Sequence, residues 1–491
     1  MKHLPATRRE FLRVASVIGG SVGAAGAPFA LNLAALGSAS AQTAGDYKAI
    51  VCLFLFGGND SCNMVLPTDA ASWTAYTTVR SQAPDPIALR PAGTAPDAAA
   101  AGGSPAALGG VLPLNPAYTV FAQNNTRAIS LHPAMVEARA LFDTEQRLAI
   151  LANAGPLVTP ITKAEYRANS KPRPPKLFSH NDQQSTWQAL SPEGARIGWG
   201  GRLGDLVASQ NGGGTIFTNI SASGNAVFLA GRSVFQYQVG NGGAVSIAGV
   251  NGTLFGSSAA SAQFRSLITS DNQNLFAKEY AAITKRSVEA QAAFQAAFAA
   301  STVAAPTPYV NPVTRANANS GIAGQLQTVA RIIGARGALG ARRQIFFVSL
   351  GGFDTHDGQN RSHSDLMARL SHALKYFDDT MGAMGMRNNV TLFTASDFGR
   401  TFTSNGDGTD HGWGAHHFVL GGAVRGREVY GRFPQVGLNQ DDEVGSGNLI
   451  PGISVDQIGA TLGRWFGVGE SDLDLVFPNL RNFDRNLGFM T

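Results

Sequence analysis

The residue types that can do chemistry in this chain are clustered. Of its nine histidines, six fall between 356 and 417: His356, His363, His372, His411, His416 and His417. Three acids stand just beyond apolar runs, in Gly57-Gly58-Asn59-Asp60, Gly351-Gly352-Phe353-Asp354-Thr355-His356 and Ser396-Asp397-Phe398-Gly399-Arg400. Carboxylates and imidazoles with no cysteine beside the histidines make the donor set of a divalent cation such as zinc, manganese or calcium. One ion polarises an ester oxygen; two ions roughly 4 Å apart clamp the oxygens of an in-line displacement at phosphorus or sulfur.

The candidate ligands are Asp60, Asp354, His356, Asp397, His411 and His416. Asp354 and His356 are two apart on one tight loop. Asp397 has a second reading as the N-cap of the turn that follows. Arg400 is either its ion-pair partner or a clamp for an anionic substrate. His416 and His417 open a strand over 416–420 and alternate faces, so at most one of them joins His411. His363 and His372 lie on opposite sides of a helix over 362–384; His363 is an open candidate, and His372 is expected to be solvated or capped. Upstream, Ser179 is a candidate nucleophile and His180 a ligand or base, with a purely structural loop as the alternative. His132, before Pro133 at a helix start, reads as structural.

Such residues need a scaffold that brings distant loops together. The runs 49–56, 344–350 and 389–395 are almost wholly apolar, the pattern of strands covered on both faces. Their alternation with helix-like segments predicts an α/β fold, a mostly parallel sheet sandwiched by helices. Open α/β sheets bind ligands beyond the carboxyl ends of their strands, so the three motifs converge if their strands are neighbours. A further strand is expected at 148–152, after a helix over 133–146. Residues 42–491 read as a single domain with a low-complexity loop (91–113), a small β-rich insertion (215–256), a long Ala-rich helical region (259–300) and a linker (302–314).

Thr7-Arg8-Arg9-Glu10-Phe11-Leu12, a weakly apolar stretch over 14–36 and Ala39-Ser40-Ala41 predict a twin-arginine signal peptide over 1–41. The expected partner is the twin-arginine export machinery, and the destination is the periplasm or the exterior. That stretch is too rich in Gly, Ala and Ser for a stable transmembrane span of roughly 20 strongly apolar residues, and no later segment has one. Taking the four basic residues of 1–41 from 38 and their one acid from 33 leaves 34 against 32, a net +2. With no basic stripe interleaved with aromatics, nucleic acid is not an expected partner. Cys52 and Cys62 read as a buried free pair.

In order along the chain, the twin-arginine start, Gly57-Gly58-Asn59-Asp60, Ser179-His180, Gly351 to His356, Ser396 to Arg400 and Gly408-Thr409-Asp410-His411-Gly412 resemble a bacterial family of exported proteins catalogued as domain of unknown function number 1501. The resemblance covers essentially all of 42–491. It implies an alkaline-phosphatase-like fold and a distant relation to alkaline phosphatases, sulfatases and phosphoglycerate mutases, which use two divalent metals and a Ser, Thr or formylglycine nucleophile. It further implies Asp60 as a first-strand ligand, Asp354 with His356 in a second cluster, Asp397 as the acid of an Asp-His pair, and His411 or His416 as the last ligand. This chain departs from that pattern. Its spacing is Asp-x-His rather than Asp-x-x-x-His, and Phe398 stands where the paired histidine would, with Asp410-His411 as a substitute. It has no Cys/Ser-x-Pro-x-Arg motif, which leaves Ser179 as the nucleophile candidate. The expectation is a metal-dependent hydrolase of phosphate or sulfate esters. The alternative is a non-catalytic exported binding or assembly protein, and the resemblance also implies a neighbouring exported protein of unknown function as a partner.

Overall fold

A computed structural model of the chain describes residues 47–491 except 120, 122, 123, 125, 126 and 272. The expected signal peptide at 1–41 lies outside the described residues. The apolar runs form strands β1 (Lys48–Phe56), β2 (Leu148–Gly155), β3 (Asn219–Ser221), β4 (Tyr237–Gly240), β5 (Gly243–Ala244), β6 (Arg343–Gly351), β7 (Val390–Ser396), β8 (Ala415–Leu420), β9 (Val429–Tyr430) and β10 (Ile453–Ser454). They make one large, mixed, mostly parallel sheet in the order β9-β2-β8-β7-β1-β6-β3-β4-β5, with β10 also paired to β2.

β1 lies between β6 and β7, parallel to both, with Phe56 opposite Gly351 and Leu55 opposite Ser396. The three motif-bearing strand ends are therefore adjacent and level. β8 runs antiparallel between β7 and β2. Its beginning stands where its neighbours end, and this brings residues 409–414 to the same edge.

The helices used below are α1 (Ala70–Arg80), α2 (Lys163–Ala168), α3 (His180–Ala189), α4 (Trp199–Val207), α5 (Ser258–Thr269), α6 (Leu275–Ala300), α7 (Gly321–Gly334), α8 (Gln359–Ala383) and α9 (Val455–Phe466). Side chains of β1 alternate between two cores. Ala49, Val51, Leu53 and Leu55 pack in the core shared with α7 and α8; Ile50, Cys52 and Phe54 pack in the core shared with α4 and α9. Both faces of the strand are buried, which is why its sequence lacks polar alternation. Each Leu or Phe so buried contributes about 1.5–3 kcal/mol.

Several local expectations change. Residues 215–217 end a 3-10 helix (Ala208–Phe217) and 227–229 form another, so the β-rich stretch is reduced to β3, β4 and β5. β3 pairs directly with β6 and β4 with β3, so the stretch extends the main sheet's edge instead of forming a separate insertion. Pieces this short are not stable as a sheet of their own. The helix expected over 133–146 contracts to Val136–Arg139 continued by a π turn, Ala140–Thr144. The Ala-rich region is two helices, α5 and α6, N-capped by Ser257 and Asn274. Cys52 and Cys62 are buried and unbonded. Among the described residues no helix is long and apolar enough to cross a membrane.

The histidines of β8 and α8 are interior. His416 accepts the Asn153 N–H at Nδ1 (3.0 Å) and stacks on Phe433 at 4.5 Å. His417 meets Trp187 edge-on at 4.8 Å. His363 contacts Asn59 Oδ1 through Nε2 (3.1 Å), and His372 is buried rather than solvated. Burial pushes His416 and His417 down to about 3 and His363 down to about 4. An unfolded histidine titrates near ~6.5, so the folded state binds fewer protons below that value. The resulting stability is complete above it and is lost as pH falls toward the folded values. Melting temperature should hold steady above about pH 7 and fall from about pH 6.5 downward; His417→Leu should make that fall shallower, and equal slopes would contradict the assignment.

Candidate metal centre

The turn after β1 depends on two glycines. Gly57 has φ +114°, and a Cβ there would lie 2.4 Å from the Asp354 amide nitrogen; a Cβ on Gly58 would lie 2.4 Å from the Phe398 ring. No other residue lets the three loops close this tightly. Asp397, the first residue past β7, is completely buried. Its Oδ2 accepts from the Gly57 N–H (3.1 Å), the Gln184 Nε2 (2.8 Å) and the His180 Nδ1 (2.6 Å). His180 and Gln184 are one helical turn apart on α3, so a single carboxylate docks that helix on the strand ends.

Fixed in this way, His180 points Nε2 at Asp354, 3.4 Å from Oδ2. His411 donates its Nδ1–H to the Phe178 carbonyl at 2.7 Å and sets Nε2 3.4 Å from Asp354 Oδ1. His356 has Nδ1 3.3 Å from Asp410 Oδ1, and its Nε2 lies 3.1 Å from Asp354 Oδ1 and 2.9 Å from His411 Nε2. Each Nδ1 faces an oxygen acceptor, which assigns the proton of the neutral ring to Nδ1 and leaves a lone pair on Nε2. The lone pairs of His356 and His411 therefore face Asp354 Oδ1, and that of His180 faces Oδ2. Lone pairs at 2.9 Å repel unless a positive charge lies between them. An acceptor behind each ring is also the arrangement that orients metal-binding histidines.

The donor set fits a cation. His180, Asp354 and His411 bring ligand atoms within 4.8 Å of one another. Two imidazole nitrogens and a carboxylate, with His356 Nε2 beside His411 but outside that group, suit zinc or a neighbouring divalent ion. Phe398 lies 4.8 Å from the His180 ring and 4.6 Å from the His411 ring, giving the site an apolar floor. The opposite side is open, with the Asp354 and His356 side chains 47% and 38% exposed. Burial raises the pKa of Asp354, but the Arg400 hydrogen bond and charge, with His180 and His356, outweigh it and hold the carboxyl below its usual range. The Asp397 hydrogen bond raises His180, and burial lowers His411.

Of the ligands expected from sequence, Asp354, His356 and His411 come together, and His180 joins them. Asp397 stands behind His180 as its orienting carboxylate. Asp60 and His416 lie elsewhere. Asp60 is buried with both oxygens engaged, by Arg80 Nη1 (2.5 Å) and Gln359 Nε2 (2.6 Å) on Oδ2, and by Arg80 Nη2 (2.9 Å) and the Cys62 N–H (3.2 Å) on Oδ1. Burial opposes its charge, yet Arg80 holds its pKa below the usual range. Arg400 is equally committed, its Nη1 to Asp354 Oδ1 (2.7 Å) and the Gly57 carbonyl (3.2 Å), its Nε and Nη2 to Thr409. It braces Asp354 and is fully engaged within the protein. Ser179 donates its hydroxyl to Asp182 Oδ2 at 2.8 Å. Sequence reasoning missed Gln184 and the Phe178 carbonyl; the i, i+4 spacing of Gln184 from His180 was the available signal, and a main-chain oxygen leaves none. A second acidic group, Glu145, Asp378 and Asp379, is bonded to Arg147, Lys375 and Arg387.

The Arg80–Asp60 pair has both side chains fully buried. Removing only the cation strands a buried charge, so Arg80→Leu should cost about 3–5 kcal/mol in urea denaturation, and Asp60→Asn/Arg80→Leu markedly less. Equal losses in the two variants would show that packing, not charge, dominates.

Over residues 47–455 the chain matches the family described as "Protein of unknown function (DUF1501)". No curated protein shows a significant match. Among solved structures, one titled "Crystal structure of Ps i-CgsB" is similar over 72% of this chain and 72% of its own, at 9% identity and a TM-score of 0.29.

Proposed function

The chain belongs to the DUF1501 family, and from its site geometry we propose that it is an exported hydrolase of phosphate or sulfate esters that works with one divalent cation. The observation that carries this reading is the convergence of Nε2 of His180, His356 and His411 on Asp354, each ring backed by an acceptor at Nδ1. His180, Asp354 and His411 would hold the ion, with His356 beside them. A divalent cation in such a site polarises an ester oxygen and acidifies water. Arg400 fixes Asp354, Asp397 fixes His180, and the Phe178 carbonyl fixes His411. The exposed Asp354–His356 side admits the ester and a water molecule. Ser179, committed to Asp182, is left out of the chemistry.

A distant alkaline-phosphatase-like ancestry is part of this proposal, supported by the order of Asp354, His356, Asp397 and His411 along adjacent strand ends. The second ion of that ancestry is replaced in our reading. Arg80 supplies the positive charge at Asp60, and Phe398 occupies the place of an imidazole. Export follows from Arg8 and Arg9 in the predicted signal. The engaged state of Arg400 and Ser179 favours a second reading, a metal-holding binding or assembly protein without turnover.

Metal analysis of purified protein should give about one equivalent of a transition metal, and Asp354→Ala or His411→Ala should remove it. Asp397→Asn should weaken metal affinity about 10–100-fold in chelator competition while leaving the ligands in place. Aryl phosphate and sulfate esters should be turned over by wild type and not by Asp354→Ala. Wild-type protein with less than about 0.1 equivalent would overturn the metal reading, and full metal without turnover would establish the second one. Cell fractionation of Arg8→Lys/Arg9→Lys should retain the protein in the cytoplasm.

A further inference from the structure

We propose that the loop from α2 to α3 is a subsite for an anionic chain, one bearing several phosphate or sulfate groups, beside the metal centre. Residues 169–179 carry three cations, Lys171, Arg173 and Lys176, and no acid. That excess is larger than the net +2 of the whole of 42–491. The loop lines an open cleft of 630 Å³ with Tyr166, Lys171, Arg173 and Lys176.

The backbone of this segment is stiff. Pro172, Pro174 and Pro175 restrict it, and Asn169, Lys176 and Phe178 hold φ of +51°, +48° and +74°. Non-glycine residues keep such angles where the surrounding structure enforces them, characteristically at functional sites. The Arg173 guanidinium is held over the Tyr166 ring at 4.5 Å and bonded to Asn169 Oδ1 at 2.6 Å. Cations presented on a rigid frame lose little freedom when a ligand arrives. Their present partners are replaceable. Lys171 pairs with Glu165 (2.8 Å), both side chains partly exposed, and pairs of this kind contribute little; Lys176, 67% exposed, reaches the buried Asp182 only at 3.4 Å.

The loop also leads straight into the centre. The Phe178 carbonyl holds His411, and His180 follows two residues later. An ester group at the ligands would extend neighbouring anionic groups along Lys176, Arg173 and Lys171. A lone monoester would leave them unused. The position of the subsite relative to the reacting group rests on the metal reading; the anion-binding property of the cleft does not.

The test uses metal-stripped full-length protein, so that failure of the metal reading leaves it unaffected. Linear inorganic polyphosphate and a heparin-type sulfated oligosaccharide are titrated against orthophosphate, with duplex DNA as a further probe. One or both of the first two should bind at least about tenfold more tightly than orthophosphate, and weaken with added salt. Lys171→Ser/Arg173→Ser/Lys176→Ser should lose about tenfold in affinity, whereas Lys285→Ser/Arg286→Ser on α6 should lose none. Lys171→Ser alone, on the exposed rim, serves should the triple variant not fold, with a smaller loss in the same direction. Preference for whichever of the two probes binds identifies phosphate or sulfate as the repeating group. No preference over orthophosphate, unchanged affinity in the loop variants, or tighter binding of DNA would overturn the proposal.

Discussion

One buried oxygen organises the carboxyl edge of this sheet. Oδ2 of Asp397 takes a proton donor from the turn after β1 and two from α3. An oxygen stripped of water must be satisfied locally; Oδ2 takes all three donors while Oδ1 has none, so the turn and the helix are held wherever β7 ends. The strand end is itself fixed by the register of β7 on β1. The position of His180 is thereby transmitted from the sheet's core through a single side chain. His411 is set by a different route, because the antiparallel β8 begins at this edge and its preceding loop meets the Phe178 carbonyl. Two constraints, joined through residues 178–180, thus aim two imidazoles at Asp354.

Neighbouring strand ends on this edge solve the problem of buried negative charge differently. At Asp60 the chain provides its own cation, Arg80, and seals the pair from solvent. At Asp354 the countercharge from Arg400 reaches Oδ1 alone, and the carboxylate stays half exposed with three ring nitrogens around it. The first arrangement is complete as it stands. The second has lone pairs to spare, which is why chemistry is assigned there.

Much of this arrangement was legible in the sequence. The wholly apolar runs at 49–56, 344–350 and 389–395 announce strands buried on both faces, and the acids that follow them mark the edge. Asp354, His356 and His411 are recognisable by type and place. The role of Asp60 was not, because its partner Arg80 comes from a helix whose docking depends on tertiary packing. His416 misled because a histidine beside a glycine-rich turn looks like a ligand, while only the pleat of β8 shows that it points into a core. The short β pieces after 215 were assigned by propensity; their Gly- and Asn-rich sequence is equally suited to 3-10 turns, and pairing with β6 decided between them.

The proposed ligands are widely spaced in the chain, running from His180 to His411. No local segment assembles more than Asp354 and His356, so an unfolded chain offers an ion almost nothing. Occupancy would then act as a checkpoint: an ion is captured only once β1, β6, β7 and β8 are in register and α3 is docked, and its binding energy falls entirely on the finished fold. Anything that loosens the sheet far from the edge would first be felt as a protein that no longer keeps its ion.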